Sequence, residues 1–321
     1  MFLVIGSVTA DLLVQSDAPL PQLGDDGFRS SNLVFTQAPL RIVMGGNGGN
    51  TAYVLAGLGA PVALGGAVGQ DLLGDALIGW LTERGVNLDG LTRSPTHATS
   101  TSTILMADAG SQVVFHHLGS TDQARYEEIP PALLAATDVF LATSFPLLTR
   151  MRAGGFGRIL EAIHSRGGIT ALDVGPAIGE PVTLAELAPL LPTVAYLLGN
   201  THEIAALTGT DDWGASVAQL LAAGARRVVV KQGEAGSSVW SATERIHVPA
   251  FPVTVNISVG AGDSFNAGFL YGVQQGWPLA EALRFGNGVA GLVVASDRGI
   301  FDAPSLAAVN ALLEASAGSL I

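Results

Sequence analysis

The sequence of 321 residues contains no cysteine. Disulfide bridges, thiolate zinc sites and a cysteine nucleophile are therefore excluded. Positive charge is also scarce, because 15 Lys and Arg face 27 Asp and Glu and leave a net charge of −12. Such an acidic chain is unsuited to non-specific binding of nucleic acid or of an anionic membrane. We therefore expect neither kind of partner.

Long hydrophobic runs are absent as well. No stretch reaches the roughly 20 consecutive apolar residues of a membrane-spanning helix. The short apolar run at Met1–Ile5 has no basic residue before it, so it does not match a secretory signal. These observations predict a cytoplasmic protein. Apolar residues nevertheless make up 48% of the chain, which is enough to bury a large core.

Glycine is abundant, with 41 residues. The sequence repeatedly places a short β-branched run, a glycine and an amphipathic helix in this order. Phe2–Ile5 is predicted as a strand that ends at Gly6, and Asn50–Leu58 as a helix. Strands that alternate with helices predict an α/β protein with a mainly parallel sheet. Residues 12–43 and 94–118 break this order with short alternating pieces, which predict one small antiparallel sheet inserted into a single domain of residues 1–321.

Three small residues precede an acid where a helix is predicted to begin, at Gly260, Ala261, Gly262 and Asp263. Their N–H groups and the helix dipole favour a phosphate group there. Asp263 could accept the proton of an attacking hydroxyl. The alternative is a helix cap after a glycine turn.

A second glycine cluster contains Gly45, Gly46, Asn47 and Asn50. Glycines let the backbone approach a ligand, and side-chain amides both donate to and accept from the hydroxyls of a polyol. The alternative is a flexible loop with an N-cap. The cluster is neither a Walker A loop nor the GxGxxG of a dinucleotide site.

Weaker candidates follow other predicted strands. Asp11 could bind two adjacent hydroxyls or be a turn residue. Asn200 and Glu203, three residues apart on one helix face, could hold hydrated Mg²⁺ or cap the helix. The segment from Lys231 through Gly233 to Gly236 could line a nucleotide or form a hairpin turn.

In their order along the chain, these motifs resemble the ribokinase-like, PfkB-type family of sugar and nucleoside kinases. The resemblance spans nearly the whole chain, from Gly45, Gly46 and Asn50 to the stretch Ser258–Asp263. It implies a three-layer α/β fold, a small β lid that often pairs two subunits, and the cofactors ATP and Mg²⁺.

The resemblance also implies roles for single residues. Asp263 is similar to the family's catalytic base, and Gly260, Ala261 and Gly262 to its anion hole. The residues similar to substrate ligands are Asp11, Gly45, Gly46 and Asn50. The metal-organising pair corresponds to Asn200 and Glu203, and the ATP pocket to Lys231, Gly233, Gly236 and Asn287.

Three departures from the family pattern stand out. Ile257 replaces the acid that supports a monovalent cation in many members, so potassium activation is doubtful. The D-x-N-x-R segment keeps Asp173 but has Gly175 and Ala177 in place of Asn and Arg. The lid turn at residues 109–112 lacks the frequent Gly-Glu-Arg.

The substrate is expected to be a neutral sugar or nucleoside, because residues 94–123 contain no Lys or Arg to pair with an anion. Phe115 could face a base or a sugar ring, or simply pack. Arg29 and Arg41 keep a sugar phosphate or sugar acid possible. The predicted function is ATP-dependent transfer of a phosphoryl group to a hydroxyl, and the lid is expected to pair two subunits in a homodimer. The alternatives are a sugar-binding sensor that has lost catalysis and, less favoured, a nucleotide-binding oxidoreductase.

Overall fold

The computed structural model describes residues 1–16, 33–36, 38–106, 112–152, 154–176 and 181–317. Most strands of these ranges belong to one large sheet. They are β1 (Phe2–Ile5), β4 (Val62–Gly69), β5 (Asn87–Ser94), β8 (Val139–Ala142), β9 (Ile169–Asp173), β10 (Tyr196–Asn200), β11 (Val228–Lys231), β12 (Ser237–Trp240) and β13 (Arg245–Val248). The other four form a small sheet, which we call the lid sheet: β2 (Thr9–Gln15), β3 (Arg41–Gly45), β6 (Ser100–Met106) and β7 (Gln112–His117).

The large sheet has the strand order β13-β12-β11-β10-β9-β8-β1-β4-β5. Its strands from β11 to β5 run parallel, whereas β12 and β13 are antiparallel. The prediction of a mainly parallel sheet is therefore confirmed. All side chains of β1, β4 and β8 are buried, as expected for strands covered on both faces.

Helices cover both faces of this sheet and complete three layers. On one face lie α1 (Asn47–Gly57), α2 (Leu72–Glu83), α9 (Ala261–Gln274), α10 (Leu279–Ala295) and α11 (Leu306–Ala317). On the other lie α3 (Pro131–Ala136), α4 (Thr149–Arg152), α5 (Gly155–His164), α6 (Leu184–Leu187), α7 (Thr201–Thr208) and α8 (Trp213–Ala222). Each face has its own buried apolar cluster.

The lid sheet has the order β3-β2-β6-β7. The prediction of an antiparallel sheet made from two inserted segments needs one correction, because its central pair, β2 and β6, is parallel. The two strands come from different segments of the chain, so no hairpin forces them to run in opposite directions. The predicted turn at residues 109–111 lies outside the described residues.

Several strand boundaries differ from the predicted ones. β4 continues to Gly69 through a run rich in glycine, and β5 is a strand of the large sheet in a segment for which no strand was predicted. Small residues let β4 pack closely at sites where a larger side chain would meet its neighbours, as at Gly65. Among the described residues, no helix is long and apolar enough to cross a membrane.

Candidate active site

Asp263 lies in the first turn of α9, where this helix meets the start of α1. Its two carboxylate oxygens accept hydrogen bonds from the side-chain amides of Asn47 and Asn50, each at 2.8 Å. The Asp263 side chain is buried. Both asparagines were predicted to bind substrate hydroxyls, and one N–H of each amide donates to this carboxylate instead. The Asn50 Oδ1 atom is buried without a partner in the described residues and stays available to a ligand.

A chain of hydroxyl groups holds Asn47 in place. Ser144 Oγ donates to Asn47 Oδ1 at 2.9 Å and lies 2.8 Å from Ser7 Oγ, while the Asn47 backbone N–H donates to Ser7 Oγ. Ser144 has a φ of 54°, a left-handed conformation that is uncommon outside glycine. The ends of β1 and β8 thereby fix the amide that contacts Asp263.

Asp11 belongs to β2 and sits beside the glycines that precede α1. A Cβ on Gly45 would overlap the Asp11 carboxylate, so only glycine leaves room for it. Asp11 is buried, and its Oδ1 has no partner among the described residues. Burial raises its pKa to about 6, an effect that the nearby charge of Asp263 reinforces and a hydrogen bond from Ser102 opposes. This side chain is an unsatisfied acceptor next to the Asp263 carboxylate.

The N-terminus of α9 offers free backbone donors, although not the three that were predicted. Gly260 adopts a φ of 82° and turns the chain into the helix. The N–H of Ala261 donates to Ser258 O at 3.3 Å, so this amide is already used. No acceptor in the described part of the chain takes the N–H of Gly260 or Gly262. These two donors lie at the positive end of the helix dipole.

An ion pair missed by the sequence reasoning lies next to this helix terminus. The Lys231 ammonium donates to Asp173 Oδ2 at 2.7 Å, and the Asn266 side-chain amide donates to the same oxygen at 2.6 Å. Lys231 was predicted to line a nucleotide pocket, and its ammonium lies between Asp173 and the first turn of α9. Asp173 ends β9, and this position at the carboxyl edge of the sheet was the signal that could have identified it.

Asn200 and Glu203 form the helix cap that was the structural alternative for this pair. Asn200 Oδ1 accepts the Glu203 N–H at 2.8 Å, and Glu203 Oε2 accepts the Asn200 N–H at 2.7 Å. Burial raises the pKa of Glu203 to about 7, although the charge of Lys231 opposes this rise. The described residues contain no group of three acidic or histidine side chains that could hold a metal ion. The Glu203 Oε1 atom takes no part in the cap and is available to a metal ion.

Gly233, Gly236 and Asn287 lie around one backbone segment. The hairpin between β11 and β12, which was the structural alternative for Gly233 and Gly236, is present. A Cβ on Gly236 would overlap the carbonyl oxygen of Val248, while the Asn287 amide donates to the carbonyls of Val248 and Pro249 at 3.1 Å each. The Asn287 donors therefore brace this segment.

The register of the lid sheet separates its two faces. Asp11 pairs with Ser102, which pairs with His116, so these three side chains form a row on the face that contains the buried Asp11. Ser102 Oγ lies 3.2 Å from His116 Nδ1. Phe115 pairs with Thr103 and Leu12 and therefore lies on the opposite face. Of the two possibilities raised for Phe115, contact with a ligand beside Asp11 does not fit this geometry, because neighbouring residues of a strand face opposite ways.

The family model of the pfkB family carbohydrate kinases matches residues 3–306 of this chain. The chain belongs to the PfkB family. It is a sugar or nucleoside kinase of the ribokinase type, and the fold and enzyme class predicted from its motifs are confirmed.

Curated relatives of this PfkB kinase differ in the substrates for which they are named. It is 28% identical to a ribokinase of Bacillus subtilis over 296 residues, which cover 91% of this chain and 92% of the relative. It is 24% identical to a 5-dehydro-2-deoxygluconokinase of Clostridium perfringens over 285 residues, 84% of each chain.

Solved structures share the fold of the kinase. An E. coli protein proposed to be a ribokinase II, solved with ATP and Mg²⁺, superposes with a TM-score of 0.81 at 20% identity over 98% of both chains. The acceptors for which the curated relatives are named differ.

Proposed function

We propose that this kinase transfers the γ-phosphoryl group of ATP to a hydroxyl of a neutral sugar or nucleoside. The observation that carries the proposal is the position of the Asp263 carboxylate, held by Asn47 and Asn50, beside free N–H groups at the start of α9. A base and an anion hole at one point are what phosphoryl transfer to an alcohol requires.

Asp263 is the general base of this reaction. Burial raises its pKa, while the hydrogen bonds from Asn50 and Asn47 and the charge of Lys231 oppose this rise. The two amides keep the carboxylate in one orientation, so that an oxygen can take the hydroxyl proton. As the acceptor oxygen bonds to the γ-phosphorus, the bond to the β-phosphate oxygen breaks and ADP leaves.

The N–H groups of Gly260 and Gly262 stabilise the charge that develops on the transferred group. They are fixed by the helix, so they need no reorganisation during the reaction. Ala261 contributes little as a donor because its N–H is engaged by Ser258.

Mg²⁺ fits this site as an ion that arrives with the nucleotide. The charges of Asp173, Glu203 and Asp263 all act on the single ammonium of Lys231, so the site carries net negative charge, which favours a divalent cation even though these carboxylates do not form one set of ligands. Glu203 would hold the ion, directly or through water, with Asn200 fixing the orientation of its carboxylate. When bound, Mg²⁺ neutralises phosphate charge.

A monovalent cation fits this site less well than Mg²⁺ does, because of the residue at position 257. Ile257 lies against Gly299, and its hydrocarbon side chain supplies no oxygen ligand. The mechanism therefore includes no such ion.

The nucleotide is proposed to lie along the segment braced by Gly236 and Asn287, with Gly233 in the adjacent turn. These residues shape the backbone near Val248 and Pro249. We also propose that the whole chain forms one kinase domain, with the lid sheet as its insert, and that the protein is located in the cytoplasm.

A neutral acceptor is supported by the charges of the lid face that contains Asp11. Arg41 lies on this face, because it pairs with Leu13, but its guanidinium donates to Asp297 O at 2.7 Å and so anchors the lid sheet. Burial lowers the pKa of His116, and the neighbouring His117 lowers it further. His116 is then neutral near pH 7. Arg29 lies outside the described residues.

The experiment that tests the proposal is a panel of acceptors in an assay of ATP-dependent ADP release. Free sugars and nucleosides are compared with sugar phosphates and sugar acids, and each product is identified by mass. We expect turnover with a neutral acceptor. Turnover confined to anionic acceptors would refute the neutral class, and acceptor binding without ADP release would support the sensor alternative.

His116 is expected to contribute to acceptor binding. Replacing it with alanine should raise the KM for the acceptor by about 2- to 10-fold, the effect of one lost hydrogen bond, without changing the KM for ATP. Steady-state kinetics measure both constants. His117→Ala is the matched control, because His117 pairs with Thr101 on the opposite face. Equal effects of the two variants would contradict the assignment.

A homodimer through the lid sheet is supported by its outer face. There Ile42, Leu12, Thr103 and Phe115 form one row across the four strands. Ile42 is 51% exposed and Phe115 59% exposed in the single chain. An apolar row of this kind is typical of an interaction surface.

The dimer is expected to dissociate when charge enters this row. Phe115→Glu should shift the mass measured by light scattering from that of two chains to that of one, because a buried unpaired carboxylate is unfavourable. Leu72→Glu is the control, since Leu72 is 87% exposed on α2. A wild-type chain that is monomeric at all concentrations would rule out this dimer.

A further inference from the structure

The side chain of Lys231 reaches from the end of β11 into the centre of the site. Its ammonium is 2.7 Å from Asp173 Oδ2, and the side chain is only 14% exposed. Asp173 is itself held on both sides, since Oδ2 accepts from Asn266 at 2.6 Å and Oδ1 accepts the N–H of Gly175 at 2.9 Å. These hydrogen bonds hold the Asp173 carboxylate in one orientation, and the carboxylate in turn fixes the position of the Lys231 ammonium.

This ammonium lies against the first turn of α9. A Cβ built on Gly262 would be 3.3 Å from Lys231 Nζ, so glycine at this position leaves room for the lysine. The N–H of Gly262 has no acceptor among the described residues. An anion bound to this N–H would consequently lie within reach of the ammonium as well.

Lys231 is charged at any working pH. Burial alone would lower its pKa, but the carboxylates of Asp173 and Glu203 outweigh this effect and raise the pKa above its ordinary value. The lysine is thus a permanent cation. Because the neighbouring carboxylates hold its proton in place, it does not act as a general acid or base.

We propose that the Lys231 ammonium is a catalytic group that contacts the transferred phosphoryl group, and that Asp173 and Asn266 are its positioning residues. This inference rests on the proposed phosphoryl transfer at Asp263. In that step the bond from the acceptor oxygen to phosphorus forms, the bond to the ADP oxygen breaks, and the proton goes to Asp263. Lys231 keeps its proton and stabilises the negative charge that is spread over the oxygens of the transferred group in the transition state.

A role in the transition state differs measurably from a role in the ATP pocket. We expect Lys231→Ala to lower kcat by about 10²- to 10³-fold, the usual effect of losing one fixed donor, with a change in the KM for ATP of less than about 3-fold. A cation that only binds ATP would instead raise this KM and leave kcat nearly unchanged.

Chemical rescue separates catalysis from structural support. Ethylamine added to Lys231→Ala should restore part of kcat, because it can supply an ammonium donor in the vacated space. Tetramethylammonium at the same concentration carries the charge but cannot donate, and it should restore nothing. Arg284→Met serves as the control variant: this part-buried cation on α10 donates to Leu313 O and Ser316 Oγ of α11, and its loss should leave kcat unchanged.

A double variant separates the loss of catalysis from poor folding of the single variant. Lys231→Met leaves Asp173 without its cation and should lower Tm, whereas Lys231→Met combined with Asp173→Asn removes both charges and should recover Tm. We expect kcat to stay low in the double variant. Recovery of kcat together with Tm would overturn the proposal, as would a folded Lys231→Ala variant that ethylamine does not rescue.

The outcome for Lys231 is distinguishable from that for the proposed function. All rates are compared with wild type on an acceptor that wild type phosphorylates. Absence of wild-type turnover on the whole panel refutes the proposed function, whereas loss of the Lys231 effect on an active wild-type enzyme refutes this inference alone.

Discussion

Replacing Asp263 with asparagine is expected to lower kcat by about 10²- to 10⁴-fold, the usual contribution of a general base. The amide has the shape of the carboxylate, so Asn47 and Asn50 still have one acceptor, but it cannot take a proton at neutral pH. The KM values for ATP and acceptor should change much less. Coupled ADP release under saturating substrates measures the effect.

Two controls accompany this measurement. Asp75→Asn removes an exposed carboxylate that pairs with Arg93 on the surface and should leave kcat unchanged. The Tm of Asp263→Asn should stay near that of wild type or rise, since a buried charge has been removed. Near-full turnover in this variant would show that another group accepts the proton.

Replacing Asp11 with alanine is expected to lower kcat/KM for the acceptor by about 10²- to 10³-fold. The buried carboxylate can accept from two hydroxyls, and hydrogen bonds to a charged group contribute about 1.5–3 kcal/mol each. The KM for ATP should stay within a few-fold of wild type. Asp89→Ala, on the exposed part of β5, is the control. An effect on ATP alone would contradict the assignment of Asp11 to the acceptor.

The pH dependence gives a second readout for Asp11. Its folded-state pKa of about 6 lies above the ordinary value of 3.8, so between these values the folded chain binds more protons than the unfolded chain. The contribution of Asp11 to stability therefore falls as pH rises through this range. Acceptor binding needs the carboxylate and should rise over the same range. Both slopes, in Tm and in kcat/KM between pH 4.5 and 7, should weaken in Asp11→Asn.

The large sheet was predictable because its strands obey a simple pattern. Val228–Val230 is a continuous apolar run between a helix and a glycine, as a strand buried on both faces requires. β5 was missed because Asn87–Ser94 has mixed polarity, with buried Gly90 and Ser94 next to exposed residues. The parallel pairing of β2 with β6 depends on long-range contacts, which no local pattern records.

The sequence pointed to the residues that the structure brings together at the start of α9, but not to the hydrogen bonds and ion pairs that join them. The motif identified Asp263 and Asn50, whereas the direction of the Asn50 amide depends on the packing of α1 against α9. Asp173 looked like a remnant of an eroded segment. Its partners are Lys231, 58 residues away, and Asn266, 93 residues away, so only the folded chain reveals them.

The alternation of the lid strands has an evolutionary consequence. On β7, His116 faces the row with Asp11, while Phe115 faces outward. With the proposed acceptor site on one face and the proposed dimer contact on the other, mutations at alternate positions of one short strand can alter acceptor binding without altering the dimer contact, and the reverse. Related kinases with this lid can therefore diverge in acceptor while the proposed dimer contact stays the same. Such divergence fits a family whose members are named for different acceptors.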